Sequence, residues 1–178
     1  MALIETIDII LIDMITVRPA KAEEWKVWKE LRLQSLQDSP ESFGEQYADA
    51  VKKTDDEWKN KMQEVATLST TDTLFAIVED QVVGMMYVFF RNDQQDTGGI
   101  GGLWVTPDNR QKGVGREMID AALGWMKEKE LQQVTFWNNK SNAASTKFYE
   151  KLGFTYTGIE KPLESDSNFI IGEMIKEL

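Results

Sequence analysis

The chain has 178 residues, 42% hydrophobic and 28% charged, which fits one globular domain with a sizeable core and excludes a disordered or repetitive chain. Twenty basic against 30 acidic residues give a net charge of −10, so the surface as a whole repels nucleic acid and anionic membranes. There is no cysteine and no histidine, which removes disulfides, thiolate and imidazole metal sites, an acyl-cysteine intermediate and the commonest general base. Proton transfer is left to carboxylates, Tyr, Lys or water, and no metal is expected.

Residues 1–13 include the apolar run Ile7-Asp8-Ile9-Ile10-Leu11-Ile12, too short and too interrupted for a signal or a membrane span. It reads as an extension, either an extra strand or a partner-contacting arm, and a cytoplasmic location follows by default. Residues 14–178 read as one domain. Met14–Arg18 is a strand closed by Pro19, and residues 22–37 a helix with Trp25, Trp28 and Leu31 at three-residue steps. After the turn residues Asp38–Gly44 comes a second helix, Thr54 to Glu64. Leu74–Glu79 and Val82–Arg91 form a hairpin about Asp80-Gln81, and Asn92–Gly99 is a polar loop. The strand Leu103-Trp104-Val105 leads to a helix from Gly113 whose apolar stripe is Val114, Met118, Ile119, Ala122, Leu123 and Met126. Strand 133–137, helix 142–152 with Gly153 as its left-handed cap, and strands 155–159 and 169–175 complete the chain. The order predicts an α/β (α+β) sandwich with a mixed, mostly antiparallel sheet flanked by helices, not a doubly wound fold.

Arg110-Gln111-Lys112-Gly113-Val114-Gly115 is the most informative stretch. Two glycines one residue apart let an anion approach the backbone, and the following helix offers unpaired N–H groups and the positive end of its dipole. Arg110, Lys112 and Arg116 add three positive charges. The spacing fails the mononucleotide P-loop, and Met118 stands where a dinucleotide fingerprint needs its third glycine. The remaining pattern, Arg/Gln-x-x-Gly-x-Gly after Val105-Thr106-Pro107, resembles the acyl-CoA pyrophosphate loop of the GNAT-type N-acetyltransferase superfamily.

A second match supports the first. Val134–Phe154 resembles the same family's strand-then-helix segment, at Asn142, Phe148, Tyr149, Glu150, Lys151, Gly153 and Phe154. The resemblance covers residues 14–178 and implies a GNAT-like acyl-CoA N-acyltransferase fold with acetyl-CoA as co-substrate. It implies that Asn142 lies beside the pantetheine arm and that Leu103 and Val105 pair with pantetheine amides through their backbone, as a strand edge pairs with a peptide. Ser145 stands where relatives carry Ala and adds a hydroxyl. The resemblance assigns Tyr149 the role of general acid. A phenol of ordinary pKa about 10 can protonate a departing thiolate without being ionised at neutral pH. Ser145 and Tyr149 share one helix face by spacing, with Ala144, Phe148 and Leu152 on an adjacent face suited to the core.

Relatives often place a Glu on the fourth strand as base, but Gly98–Leu103 holds no carboxylate, which leaves Glu45 or Glu79 acting through water, or an amine entering neutral. The glycine run suggests a bulge or an open wall. Phe43, Tyr47 and Trp58 fall where relatives build the acceptor pocket. The resulting reading is acetyl transfer from acetyl-CoA to a small-molecule amine, a peptide N-terminus or a Lys, by direct attack in a ternary complex. A homodimer is left open, and neither nucleic acid nor membrane is a partner. The rival readings are a silent acyl-CoA sensor and a scaffold using the N-terminal arm.

Overall fold

The computed structural model describes residues 14–178, so the expected arm or extra strand over residues 1–13 lies outside the described residues. Seven strands build one sheet: β1 (Thr16–Pro19), β2 (Thr71–Val78), β3 (Gln81–Phe90), β4 (Thr97–Val105), β5 (Gln133–Asn139), β6 (Thr155–Pro162) and β7 (Ile170–Glu177). Their order is β1-β2-β3-β4-β5-β7-β6, and every neighbouring pair is antiparallel except β4 with β5. The expected mixed, mostly antiparallel sheet is what forms.

Helices cover both faces. On one, α4 (Val114–Glu128) and α5 (Ala143–Lys151) pack on β2, β3 and β5; on the other, α1 (Trp25–Asp38), the single turn α2 (Tyr47–Ala50) and α3 (Asp55–Thr67) cover Phe75, Met85 and Trp104. Val114, Met118, Ile119, Ala122 and Met126 of α4 are at most 2% exposed, and Leu123 on the edge of that stripe is half-buried. Burying each of the larger of these side chains contributes about 1.5–3 kcal/mol, which makes α4 a rigid support for the loop before it. The start of α3 is fixed by Thr54, whose hydroxyl accepts from the Glu57 N–H at 3.3 Å.

Three local expectations shift. The hairpin turns at Glu79-Asp80, one residue early, because both adopt positive φ, +48° and +63°, as a two-residue type I′ turn demands. The turn α2 is an addition that the sequence pattern does not signal. The polar loop ends at Asp96, since Thr97–Gly99 already belong to β4. Gly98 and Gly99 read as turn residues but serve packing. A Cβ on Gly99 would sit 2.2 Å from Phe89 Cε2, and one on Gly98 2.6 Å from Met126 Sδ. Among the described residues no helix is long and apolar enough to cross a membrane.

Candidate active site

β4 and β5 are paired only at Thr97–Gly99 and Gln133–Thr135. Beyond these residues the two strands diverge, each still held on its outer side, β4 by β3 and β5 by β7. A wedge of about 360 Å³ therefore opens in the middle of the sheet, between Ile100–Val105 and Phe136–Asn139. Against β3, the register steps from Tyr87↔Gly101 to Met85↔Trp104, so Gly102 and Leu103 together oppose Met86. This is a bulge in the glycine run, and Gly102 sits in it at φ +64°. The Tyr87 ring fills the space a Gly102 side chain would need, with a Cβ there 2.3 Å from Tyr87 Cε2.

The loop after β4 leaves the wedge lining at Arg110 and runs on to the start of α4, and residues 111–116 are not part of that lining. Gln111 and Gly113 have φ of +62° and +92°, and Gly113 is the N-cap residue of α4 without a side-chain cap. The N–H groups of Gly113, Val114 and Gly115 donate to no described backbone acceptor. Positive-φ residues alternating with a negative-φ one, followed by a helix N-terminus, suit an anion-binding concavity. Gln111, Lys112, Gly113 and Arg116 are exposed there, Arg116 lies 3.6 Å from Asp120, and the Val114 side chain is buried in the core. Gly115 lies beside α5, where a Cβ would make an ordinary contact with Phe148 Cζ at 3.4 Å.

Arg110 departs from expectation. It lines the wedge, but its Nε donates to the Val105 carbonyl at 2.9 Å and its Nη2 pairs with the Asp38 carboxylate. Trp104 Nε1 at 2.9 Å and Ser39 Oγ at 2.7 Å donate to the same carboxylate. Burial pushes the Asp38 carboxyl up, but these donors outweigh it and hold the group below its ordinary value. Arg110 is thus a clamp between α1 and β4 with its charge already answered. The Val105 carbonyl, expected to serve a pantetheine amide, carries one bond from within the chain.

Asn142 caps α5 by accepting from the Ser145 N–H at 2.9 Å. Ser145 lines the wedge, and its hydroxyl donates to Asn138 Oδ1 at 2.7 Å. Asn138 and Asn139, both buried at the end of β5, are the residues the sequence reading misses. Asn138 Nδ2 donates to Thr146 Oγ1 and Tyr156 Oη at 3.0 and 2.9 Å, and Asn139 Nδ2 to the Glu41 carbonyl at 2.8 Å. The signal was present: two adjacent amides end an apolar strand just before a helix cap, where an unbonded amide would be costly.

Tyr149, not Ala144 or Phe148, is the buried residue of α5, at 8% exposure. Ala144 is exposed on the wedge wall, and Phe148 is half-buried because it fills the space beside Gly115. The Tyr149 ring packs on Phe136, Phe148 and Phe154 at centroid distances of 4.2, 5.0 and 5.9 Å. Its hydroxyl bonds to no side chain or backbone group among the described residues, while the residue lines the wedge. Burial raises its pKa above the ordinary 10, so the phenol keeps its proton.

The other expected residues are not brought together. Phe43 walls the wedge, Trp58 lines a second cavity with Glu45, and Tyr47 lines a surface hollow with Gln46 and Ser165. Glu45 is bonded to Arg32 and Lys53, and Glu79 stands on the exposed hairpin turn. Among the described residues neither base candidate lines the wedge.

The model of the acetyltransferase (GNAT) family matches residues 28–154. The chain belongs to this family. Solved structures of GNAT-family proteins share its fold. The spermidine N-acetyltransferase of Vibrio cholerae, in complex with CoA and spermine, superposes with a TM-score of 0.76 at 14% identity, covering 92% of this chain and 95% of that one. A ribosomal-protein-alanine N-acetyltransferase from Brucella melitensis gives 0.71 at 18% identity, over 92% and 99%. A GNAT-family acetyltransferase from Streptococcus pneumoniae gives 0.74 at 16% identity, over 93% and 99%. No curated protein matches the chain in sequence.

Proposed function

We propose that this GNAT-family chain transfers an acetyl group from acetyl-CoA to an amine by direct attack within a ternary complex. The observation that carries the reading is the wedge itself. An unpaired phenol and two diverging strand edges face one space, and the loop that leaves it at Arg110 leads to a helix start with free N–H groups. The loop from Gln111 to Gly115 and the first turn of α4 suit a pyrophosphate, with Lys112 and Arg116 as its nearby cations. Leu103 and Val105 offer backbone groups to the amides of the pantetheine arm, beside Asn142 and Ser145. The CoA complex of the Vibrio cholerae enzyme supports the same cofactor here.

In the transfer the amine nitrogen attacks the thioester carbonyl, the C–N bond forms and the C–S bond breaks. The departing thiolate takes the proton of Tyr149, and the nitrogen releases its extra proton to water, from which the phenolate is restored. Burial leaves the Tyr149 phenol in its acid form at neutral pH, so its proton is available to the thiolate. The similar proteins act, by their names, on spermidine and on a ribosomal-protein alanine, so the acceptor is an amine whose class the fold leaves free. A cytoplasmic setting, where acetyl-CoA is made, fits the absence of cysteine.

Acetyl-CoA is incubated with amines, amino acids, polyamines and peptides carrying free N-termini or Lys, and released thiol is measured. Thiol release with one acceptor class is the expected outcome. Tight CoA binding without release on the whole panel would replace the enzyme by an acyl-CoA sensor.

A further inference from the structure

Little holds β4 in place where it borders the wedge. On the β5 side its pairing ends at Gly99, and on the β3 side the ladder is broken where Gly102 and Leu103 together oppose Met86. Gly102, at φ +64° and without a side chain, has the widest choice of backbone conformations along this edge. A contact from outside the ladder has to select one of them.

That contact is the Tyr87 ring. The three atoms nearest to a Cβ built on Gly102 all belong to it, Cε2 at 2.3 Å, Cδ2 at 2.6 Å and Cζ at 3.3 Å, so the ring takes the place a side chain would have. Gly101 meets the same ring more loosely, a Cβ there lying 3.9 Å from Tyr87 Cδ2.

The ring is itself anchored from the helical layer. Its hydroxyl accepts from Trp28 Nε1 of α1 at 3.0 Å, and the two rings meet edge to face at 6.3 Å. Trp28 is buried and meets the Trp58 indole of α3 in the same manner at 5.0 Å. Burial pushes the Tyr87 phenol above its ordinary value, outweighing Arg32 and Trp28, so the group stays protonated and neutral in this contact. Tyr87, Trp28 and Trp58 share the wall of a second cavity, about 360 Å³ between α1, α3, β2 and β3, and Tyr87 is absent from the wedge lining. It reaches the wedge through the glycines it covers.

Resting on the proposed acetyl-CoA site, we infer that Tyr87 is a positioning residue for the cofactor. Held by Trp28, its ring keeps the Gly102 bulge, and with it the Leu103–Val105 edge offered to pantetheine, in the form that binds. A bulge free to relax would misdirect backbone groups whose hydrogen bonds are directional, which costs affinity without unfolding the sheet.

Calorimetric titration with CoA tests this. Tyr87→Leu removes the ring and keeps an apolar side chain, and should weaken CoA binding about tenfold. Tyr87→Phe keeps the ring, loses only the Trp28 bond and should recover most of that loss. Gly102→Ala approaches the same contact from β4, so the inference stays measurable should Tyr87→Leu fold poorly; its methyl must displace the ring and should also weaken binding. In the Tyr87→Leu background that methyl should cost less than in the wild type, because the ring it meets is gone. Phe75→Leu is the control, a buried ring of the cluster under α1 and α3 that lines neither hollow. It should lower the unfolding midpoint and leave CoA affinity unchanged.

Wild-type CoA affinity in folded Tyr87→Leu or in Gly102→Ala would overturn the inference. Equal losses in Tyr87→Leu and Phe75→Leu would overturn it too, by making Tyr87 a packing residue. Failure of the wild-type chain to bind CoA would overturn the cofactor reading, and the inference with it. CoA binding that depends on Tyr87, without acetyl transfer to any amine, would overturn the transferase reading and leave the role of Tyr87 standing.

Discussion

The wedge between β4 and β5 and the cavity beside α1 and α3 enclose the same volume and have opposite chemistry. The wedge is walled by glycine backbone, by asparagines already bonded within the chain and by one unpaired phenol. Its single guanidinium, Arg110, is neutralised by Asp38. The cavity concentrates Arg32, Glu45 and Lys53 and leaves two donors unmet. One space presents main-chain edges and the other side-chain charge.

The largest effect that can break this contrast lies in the wedge. Tyr149→Phe keeps the ring and its packing on Phe136, so it should preserve acetyl-CoA affinity while kcat falls by roughly 10²–10⁴. The wild-type profile follows from the direction of the Tyr149 shift. The acid form is lost only as pH rises through a value above the ordinary 10, so kcat should show no descending limb below about pH 10. Steady-state kinetics across pH 6–9 decide it, and a variant with wild-type kcat would return Tyr149 to a purely structural part.

Next comes the loop. Gly113→Val places a branched side chain at φ +92° and at the anion concavity, and should weaken acetyl-CoA binding at least about tenfold, or 1.4 kcal/mol. Gly113→Asn separates the two causes, since Asn tolerates the left-handed region. Calorimetric titration should show Asn retaining more affinity than Val. Equal affinities for all three proteins would remove this loop from the CoA site.

These two regions also differ in how readably they are written in the chain. The loop, the cap at Asn142 and Tyr149 lie on short contiguous segments whose spacing constrains the backbone directly, and the element order fixes the sheet around them. The bulge could be suspected from Gly98–Gly102, but not its cause, because Phe89 and Tyr87 overlie those glycines only once β3 and β4 pair. Arg110 looked like a phosphate ligand until folding brought Asp38 to it across 72 positions. The residues expected at an acceptor pocket were least legible. Phe43, Tyr47 and Trp58 share a region of sequence yet enter three different hollows, since a turn at Tyr47–Ala50 redirects the chain between them. Arg32, Lys53, Trp58 and Tyr87 become one cavity through tertiary packing alone.

A smaller effect tests whether the cavity side can be loosened without touching the wedge. Thr54 caps α3, which forms one wall of the cavity, and Thr54→Ala should cost about 1 kcal/mol in urea or thermal unfolding. Acetyl-CoA affinity should stay at its wild-type value, because α3 contributes nothing to the wedge lining. A parallel loss of affinity would mean that α3 supports the wedge as well.

The smallest expected effect is a pH-dependent one at the entrance to α1. Glu24 accepts two bonds from Arg18, at 2.8 and 2.7 Å, and one from the Lys21 N–H at 2.7 Å. Arg18 above all, and Lys21 with it, overcome the opposing effect of burial and hold the Glu24 carboxyl at about 2, against an ordinary 4.5. A carboxylate depressed in the folded state contributes stability that is fully present above its unfolded value and is lost as pH falls through the folded one. Glu24→Gln should therefore lower stability above about pH 5 and converge with wild type as pH approaches 2. Solvent reaches the pair, with 32% of the Arg18 and 22% of the Glu24 side chain exposed, so the difference at neutral pH should be of the order of 1 kcal/mol or less and shrink in high salt. Urea midpoints for both proteins at several pH values check the sign. A difference that grew on acidification would show that Glu24 is protonated, not ionised, in the folded chain.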